Sequence, residues 1–205
     1  AYTSVLEIPG EVDLAIIVVN AKFVLSTIDQ CHEKGIKGLC IITAGFKETG
    51  KEGAEAEKQL LAKVKEYGMR CVGPNCLGVV NTDPSVRMDG CFAESLPERG
   101  NIGFVSQSGA LGGGILNILK DLNLGFAQFI SIGNQADVNA ETALEYWENV
   151  DDVEQILLYM ESIQNPANFR KLASRISKKK PILALKAGRS AAGASAASSH
   201  TGSLA

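Results

Sequence analysis

The sequence predicts an α/β protein made of two Rossmann- or flavodoxin-like units, each a parallel sheet covered by helices. Three observations carry this expectation. Short apolar runs alternate along the chain with longer segments whose apolar residues recur at three- and four-residue spacing. The short runs are apolar on both faces, as strands are when helices cover both sides of a parallel sheet. Hydrophobic residues make up 45% of 205, enough for one large domain or two small ones, each with its own core.

The first strand is expected at Leu14–Val19, followed by a helix near Val24–Glu33 that Gly35 can stop. Leu39–Thr43 reads as the next strand, then a helix near Ala54–Tyr67 stopped by Gly68, then a strand at Arg70–Val72. Between Gly73 and Gly100 the alternation lapses into a stretch rich in Gly, Pro, Asn, Asp and Ser, which places a domain boundary there. The expected units are residues 1–98 and 99–205. Ile102–Ser106 begins the second unit, and a helix near Ala110–Leu122 follows, with Gly125 as its stop. Strands at Phe126–Ile132, Gln155–Met160 and Pro181–Lys186 alternate with helices near Glu141–Asn149 and Ala167–Lys178. Asn165-Pro166 marks the start of the last helix, an N-cap followed by proline at the first helical position. About three strands in one unit and four in the other fall short of the five or six of a doubly wound sheet, so both read as truncated.

A formal net charge of −3 provides no general attraction to nucleic acid or to an anionic membrane. The run Lys178–Lys180 reads as a solvated helix end. Apolar runs such as "LAIIVV" at 14–19 are far shorter than the roughly 20 residues a bilayer requires. Five cysteines without a C-x-x-C pair argue against a disulfide framework and against a zinc site, and suit a reducing cytoplasm. The chain begins in mid-pattern, without a signal peptide.

Ligands of open parallel sheets collect at the carboxyl ends of the strands, so the loops there hold the candidate chemistry. "VSQSGALGGG" at 105–114 puts Ser106, Ser108 and several glycines between a strand and a helix. Free N–H groups and the helix dipole make such a start a phosphate cradle; a capped helix with glycines for tight packing reads equally well. No Gly-Lys-Ser/Thr follows, so this is not a Walker loop. "GPNC" at 73–76 fixes a turn and offers an amide and a thiol. A nucleophilic Cys76 would need a base, and neither His32 nor His200 can be placed beside it; a turn lining a ligand groove is the better reading. Glu161 follows the strand "QILLYM" and should share the strand-end edge with Ser108. His32 lies near a helix end and receives no function. His200 sits among small residues in "SSHTGSLA", which on its own reads as a solvated tail.

With "GPNCLG", "FVSQSGALG", "SIGNQAD", "LYMESI", "KAGRS" and "SSHTGSLA" in this order, the sequence resembles the nucleoside-diphosphate-forming acyl-CoA synthetases over essentially its whole length. It looks most like the ADP-forming acetate–CoA ligase branch and is more distantly similar to the α subunit of succinyl-CoA synthetase. The resemblance implies a CoA-binding Rossmann-like domain, then a flavodoxin-like domain, in a fragment that lacks the family's opening strand and glycine-rich CoA-phosphate loop. It implies an acid–thiol ligase working through acyl phosphate and a phosphohistidine, with His200 as phosphoryl carrier and Glu161 orienting it. Ser108, Gly109 and Ala110 match the phosphate-binding helix start. Asn20, Ala21, Ile42, Thr43, Ala44, Asn75 and Cys76 fall at CoA contacts, although the family often has proline where Asn20 stands. The tyrosine that helps hold succinate is replaced by Gly113, which argues against succinate. The acyl group is left open, set by pocket shape around Gly112–Gly114 and Asn134. ATP or ADP with Mg is expected at an ATP-grasp domain or subunit outside this chain, the substrates are a carboxylic acid or acyl-CoA and phosphate, and an oligomer is expected.

Two other functions compete with this one. A protein acetyltransferase or regulatory protein could keep the module only to bind acyl-CoA, but such relatives typically lack the histidine. A nicotinamide enzyme would need a G-x-G-x-x-G turn, and this sequence has none.

Overall fold

The computed structural model describes residues 1–95 and 97–188 and places two sheets in tandem. The first has three parallel strands in the order β1 (Leu14–Ile17), β2 (Gly38–Ile41), β3 (Arg70–Val72). Helices α1 (Ala21–Glu33) and α2 (Lys51–Glu66) make the crossovers. Val24, Ile28 and Cys31 form the buried stripe of α1, and Leu60 and Val64 that of α2. These residues close over Ile17, Leu39 and Ile41 of the sheet.

The second sheet contains more strands than the sequence suggests. A hairpin of β4 (Gly78–Asn81) and β5 (Met88–Cys91) joins four parallel strands, β6 (Arg99–Ser106), β7 (Phe126–Ser131), β8 (Gln155–Met160) and β9 (Ile182–Lys186). Their order is β5-β4-β7-β6-β8-β9, and β4 is antiparallel to both its neighbours. The sheet is therefore six-stranded and mixed, where about four parallel strands were expected. The hairpin lies in the stretch where the alternation lapses. Four-residue strands are too short to show a period, and "MDGC" carries no apolar pattern; pairing of β4 with β7, and of β5 with β4, decides their conformation.

Alternation along β6 divides the core into two layers. Val105 faces α4 (Ala140–Trp147) and α5 (Pro166–Ile176), whereas Phe104 packs with Leu116 of α3 (Gly109–Asp121). Trp147, fully buried, donates its indole N–H to Gln128 Oε1 at 2.7 Å, so its one polar atom is satisfied inside the core. The start of α5 is as the sequence suggests, with Asn165 accepting from Asn168 N and Pro166 in the first turn. The stop of α3 differs. Asn123 takes the left-handed conformation there with φ 55°, a role that asparagine tolerates, and Gly125 instead marks a close crossing with the backbone of Arg99.

The two sheets share a backbone seam. The segment after β7 runs along the edge of β3, with Val138 N donating to Cys71 O, Ala136 N to Gly73 O and Asn134 N to Pro74 O, at 2.9 to 3.1 Å. Asp137 accepts from Arg70 Nε at 2.8 Å and from Cys71 N at 2.9 Å. The seam holds the carboxyl ends of β2 and β3 beside that of β6. Among the described residues, no helix is long and apolar enough to cross a membrane.

Candidate active-site crevice at the strand ends

A cavity of about 540 Å³ opens where those strand ends meet. Ile42 and Ala44 after β2, Asn75 and Cys76 after β3, and Ser108, Gly109 and Ala110 after β6 line it, together with Leu77, Phe92 and Gln107. Seven of the residues singled out from the sequence thus line one cavity. Among the described residues, none lining it carries a formal charge. An anion held here would be held by dipoles.

Those dipoles come from α3. Ser108 is its N-cap, in extended conformation, and its Oγ accepts the N–H of Leu111 at 3.3 Å. Ser106, fully buried, donates its hydroxyl to Ser108 O at 2.6 Å and so fixes the cap from beneath. The first N–H groups of a helix have no intrahelical acceptor, and in α3 Gly109 and Ala110 occupy that end at the cavity wall. The first turn carries no acidic side chain to compete for it. Of the glycines that follow, Gly112 packs against Ser106 and Phe129 rather than the cavity, and Gly113 lies against Leu77.

The opposite wall is held by a polar network spanning the seam. Asn75 adopts φ 57°, and its Nδ2 donates to Asn134 Oδ1 at 3.3 Å. Asn134 is 4% exposed and donates its amide to Glu48 Oε2 at 2.6 Å and Glu57 Oε2 at 2.7 Å, while Lys47 Nζ donates to its carbonyl. Asn134 therefore shapes the crevice through Asn75 and does not line it. Burial raises the Glu48 pKa, but hydrogen bonds from the Asn134 amide and from the Gly45 and Phe46 N–H groups outweigh it, leaving a net lowering. A carboxylate with a lowered folded pKa contributes stability above its unfolded pKa, which is lost as pH falls through the folded value. Glu48→Gln should thus cost stability at neutral pH and lose less than the wild type does on acidification to about pH 3, a difference that thermal melts across that range would measure.

Glu161 follows β8 and is 2% exposed. Its N–H donates to Gln107 Oε1 at 2.8 Å, and the same oxygen accepts from Ser162 N at 3.0 Å. Gln107 thereby ties the Glu161 turn to the loop that bears Ser108. Glu161 and Ser108 share one sheet edge, as expected. Asn20, Ala21 and Thr43 do not line the cavity. Asn20 caps α1 by accepting from Lys22 N at 3.2 Å, and Thr43 Oγ1 donates to Val19 O at 2.7 Å, so these residues gather at the carboxyl ends of β1 and β2. His32 stacks on Tyr67 with ring centroids 4.0 Å apart, within the first unit. His200 lies outside the described residues. Gln107 could have been found in the sequence, because it sits inside "VSQSG" next to the cap; Phe92, exposed after β5, gave no signal.

The thiol of Cys76 donates to Ile41 O at 3.3 Å, and its sulfur lies 3.8 Å from that of Cys40 on β2. Either sulfur can donate to the other, and their contact lowers the Cys40 pKa and raises that of Cys76. Burial pushes Cys71 up to about 12 and Cys91 up to about 11.

Residues 1–82 match the CoA binding domain family and residues 99–205 the succinyl-CoA ligase like flavodoxin domain family. The α subunit of acetate–CoA ligase [ADP-forming] II from Pyrococcus furiosus is 50% identical over 205 residues, covering all of this chain and 44% of its own. The 4-hydroxybutyrate–CoA ligase [ADP-forming] of Nitrosopumilus maritimus is 43% identical over the whole chain and 30% of its own length. A dinucleotide forming acetyl-coenzyme A synthetase 1 from Ca. Korarchaeum cryptofilum, solved with phosphate and ADP, superposes with TM-score 0.89 at 39% identity, covering 100% of this chain and 44% of its own. The chain thus spans less than half the length of these relatives. With both domain types present and in the same order, the chain belongs to the nucleoside-diphosphate-forming acyl-CoA synthetase family, of which it represents the α portion.

Proposed function

We propose that the longer protein carrying this chain is an ADP-forming acid–thiol ligase. It interconverts acyl-CoA, ADP and phosphate with carboxylic acid, CoA and ATP. The observation that carries this reading is the convergence of the α3 N-terminus with the ends of β2 and β3 on one uncharged cavity. Phosphate at Ser108, Gly109 and Ala110 would face an acyl thioester bounded by Ile42, Ala44, Asn75 and Cys76. Its attack on the acyl carbon expels the CoA thiolate and leaves an acyl phosphate. The site's contribution is positioning and stabilisation of anionic charge, which a helix terminus supplies.

The acyl phosphate then passes its phosphoryl group to an imidazole nitrogen of His200, and the carboxylic acid departs. Phosphohistidine transfers the group to ADP, held with Mg at an ATP-grasp domain or partner subunit. Glu161 fixes the tautomer and orientation of the ring during the first transfer. Asn20, Ala21 and Thr43 serve the part of CoA beyond the cavity, along the carboxyl edge of the first sheet. The division into a CoA-binding unit at 1–98 and a phosphoryl-handling unit at 99–205, an oligomeric assembly and a cytoplasmic site of action complete the proposal. Relatives named for acetate and for 4-hydroxybutyrate support a small carboxylic acid as substrate.

Two substitutions at Ser108 test the phosphate site. Aspartate caps a helix as well as serine does, so Ser108→Asp should fold normally. Its negative charge would face the phosphate, and acyl-CoA phosphorolysis by the full-length protein should fall roughly 100-fold or more. Ser108→Ala removes the cap without adding charge and should lose about 1 kcal/mol of stability with a smaller loss of rate. Wild-type turnover in the aspartate variant would show that α3 is a capped packing helix and nothing more.

A further inference from the structure

Cys40 and Cys76 belong to different stretches of chain, one on β2 and the other in the turn after β3, yet their sulfurs lie 3.8 Å apart. Cys40 is fully buried and Cys76 is 4% exposed, and both pack with Val79 in a small cluster at the seam between the sheets. A disulfide requires about 2.05 Å between the sulfurs, so an approach of about 1.8 Å would join them. Cys76 also lines the cavity proposed above to receive a thioester, flanked there by Asn75 and Leu77. The thiol pair is thus at contact distance, with one member on the wall of a pocket proposed for a thiol-bearing ligand.

We propose that Cys40 and Cys76 form a dithiol modification site that reacts with the disulfide of a pantetheine-type thiol entering the cavity. The inference rests on the reading of the cavity as the site of the CoA thiol end, because that reading explains how such a disulfide is delivered to Cys76. At 3.8 Å the two sulfurs can share one proton once the pair has ionised, with either sulfur as the donor. Passage of that proton to Cys40 leaves a thiolate on Cys76, at the cavity wall. This thiolate attacks one sulfur of R–S–S–R, the small disulfide bond breaks, and the departing RS⁻ takes the proton from Cys40. Cys76–S–S–R and RSH result. The Cys40 thiolate then attacks the Cys76 sulfur, the mixed disulfide breaks, and a second RS⁻ leaves. The two protein thiols are oxidised by two electrons, and one small disulfide is reduced to two thiols. The joined sulfurs draw the turn bearing Asn75 and Cys76 toward β2, which alters the wall on which the thioester would rest.

The full-length protein, reduced and then incubated separately with CoA disulfide and with oxidised glutathione, provides the test. Alkylation under denaturing conditions followed by peptide mass spectrometry should show the Cys40 peptide joined to the Cys76 peptide, with two thiols consumed per chain. Calorimetry should show weakened CoA binding after oxidation, restored by dithiothreitol. Cys40→Ser should trap the mixed disulfide on Cys76, and Cys76→Ser should block the reaction. A protein that binds CoA but keeps both residues alkylatable after both incubations would overturn the dithiol site and leave the ligase reading standing. A stable mixed disulfide on Cys76 in the wild type, with Cys40 still free, would likewise overturn it. A Cys40–Cys76 link formed with glutathione in a protein that fails to bind CoA would support the dithiol and sink the reading of the cavity as a CoA site.

Discussion

His200→Asn should abolish the phosphoenzyme. When the full-length protein is incubated with labelled ATP and Mg²⁺, wild-type protein should acquire an acid-labile, base-stable label, as expected of a phosphoramidate. The asparagine variant should acquire none and should lose acyl-CoA synthesis with it. The chemical reason is specific to the ring. An imidazole nitrogen is a competent nucleophile near neutral pH, whereas a carboxamide nitrogen has its lone pair delocalised and cannot accept the group. The variant separates carrier from cavity, because phosphate and acyl-CoA should still meet beside Ser108, and acyl phosphate formation from acyl-CoA should persist. A persistent label in His200→Asn would remove His200 from the pathway and leave the ligase without its proposed carrier.

Gly133→Ala should disrupt the seam between the sheets and the crevice with it. Gly133 has φ 50°, and an added Cβ would sit 2.3 Å from Asn75 O and 2.4 Å from Pro74 O. Both contacts are with backbone, so no side-chain rotation relieves them. The turn after β7 would have to retreat from the turn after β3, stretching the Asn134 N to Pro74 O bond and withdrawing Asn134 from Asn75. The loss combines left-handed strain of order 1–2 kcal/mol with overpacking of about 1–3 kcal/mol, a large part of a domain's net stability. A urea titration should show a lower midpoint, and CoA affinity should fall with it because Asn75 loses its anchor. A midpoint unchanged within error would mean that the seam is not structurally required. Gly73, in the turn after β3, has φ 95° and an added Cβ would lie 2.4 Å from Ile41 O, so that turn is itself held tightly against β2.

Much of this was legible in the sequence because it depends on neighbours along the chain. Helix α1 declares itself through Val24, Ile28 and Cys31, and α5 through Asn165-Pro166. Ser108 could be read as a cap because capping is a contact between residues three apart. The β4–β5 hairpin could not, since β4 is held by partners more than forty residues away on β7, and β5 depends on β4. The same applies to Asn134. Its motif drew notice, but its role depends on Glu48 and Glu57, which sit on the other unit.

The order of strands and helices outside the β4–β5 hairpin, the capped start of α3 and the motifs that mark the family were set by the sequence alone, because local geometry and residue chemistry suffice for them. Only the folded chain decided that the turns after β2, β3 and β6 share one uncharged cavity, that Gln107 ties Glu161 to the Ser108 loop, and that two cysteines come within 3.8 Å. These are contacts between residues roughly 30 to 65 positions apart, brought together by parallel crossovers and the seam along β3. Sequence spacing carries no information about such distances until the sheets are assembled.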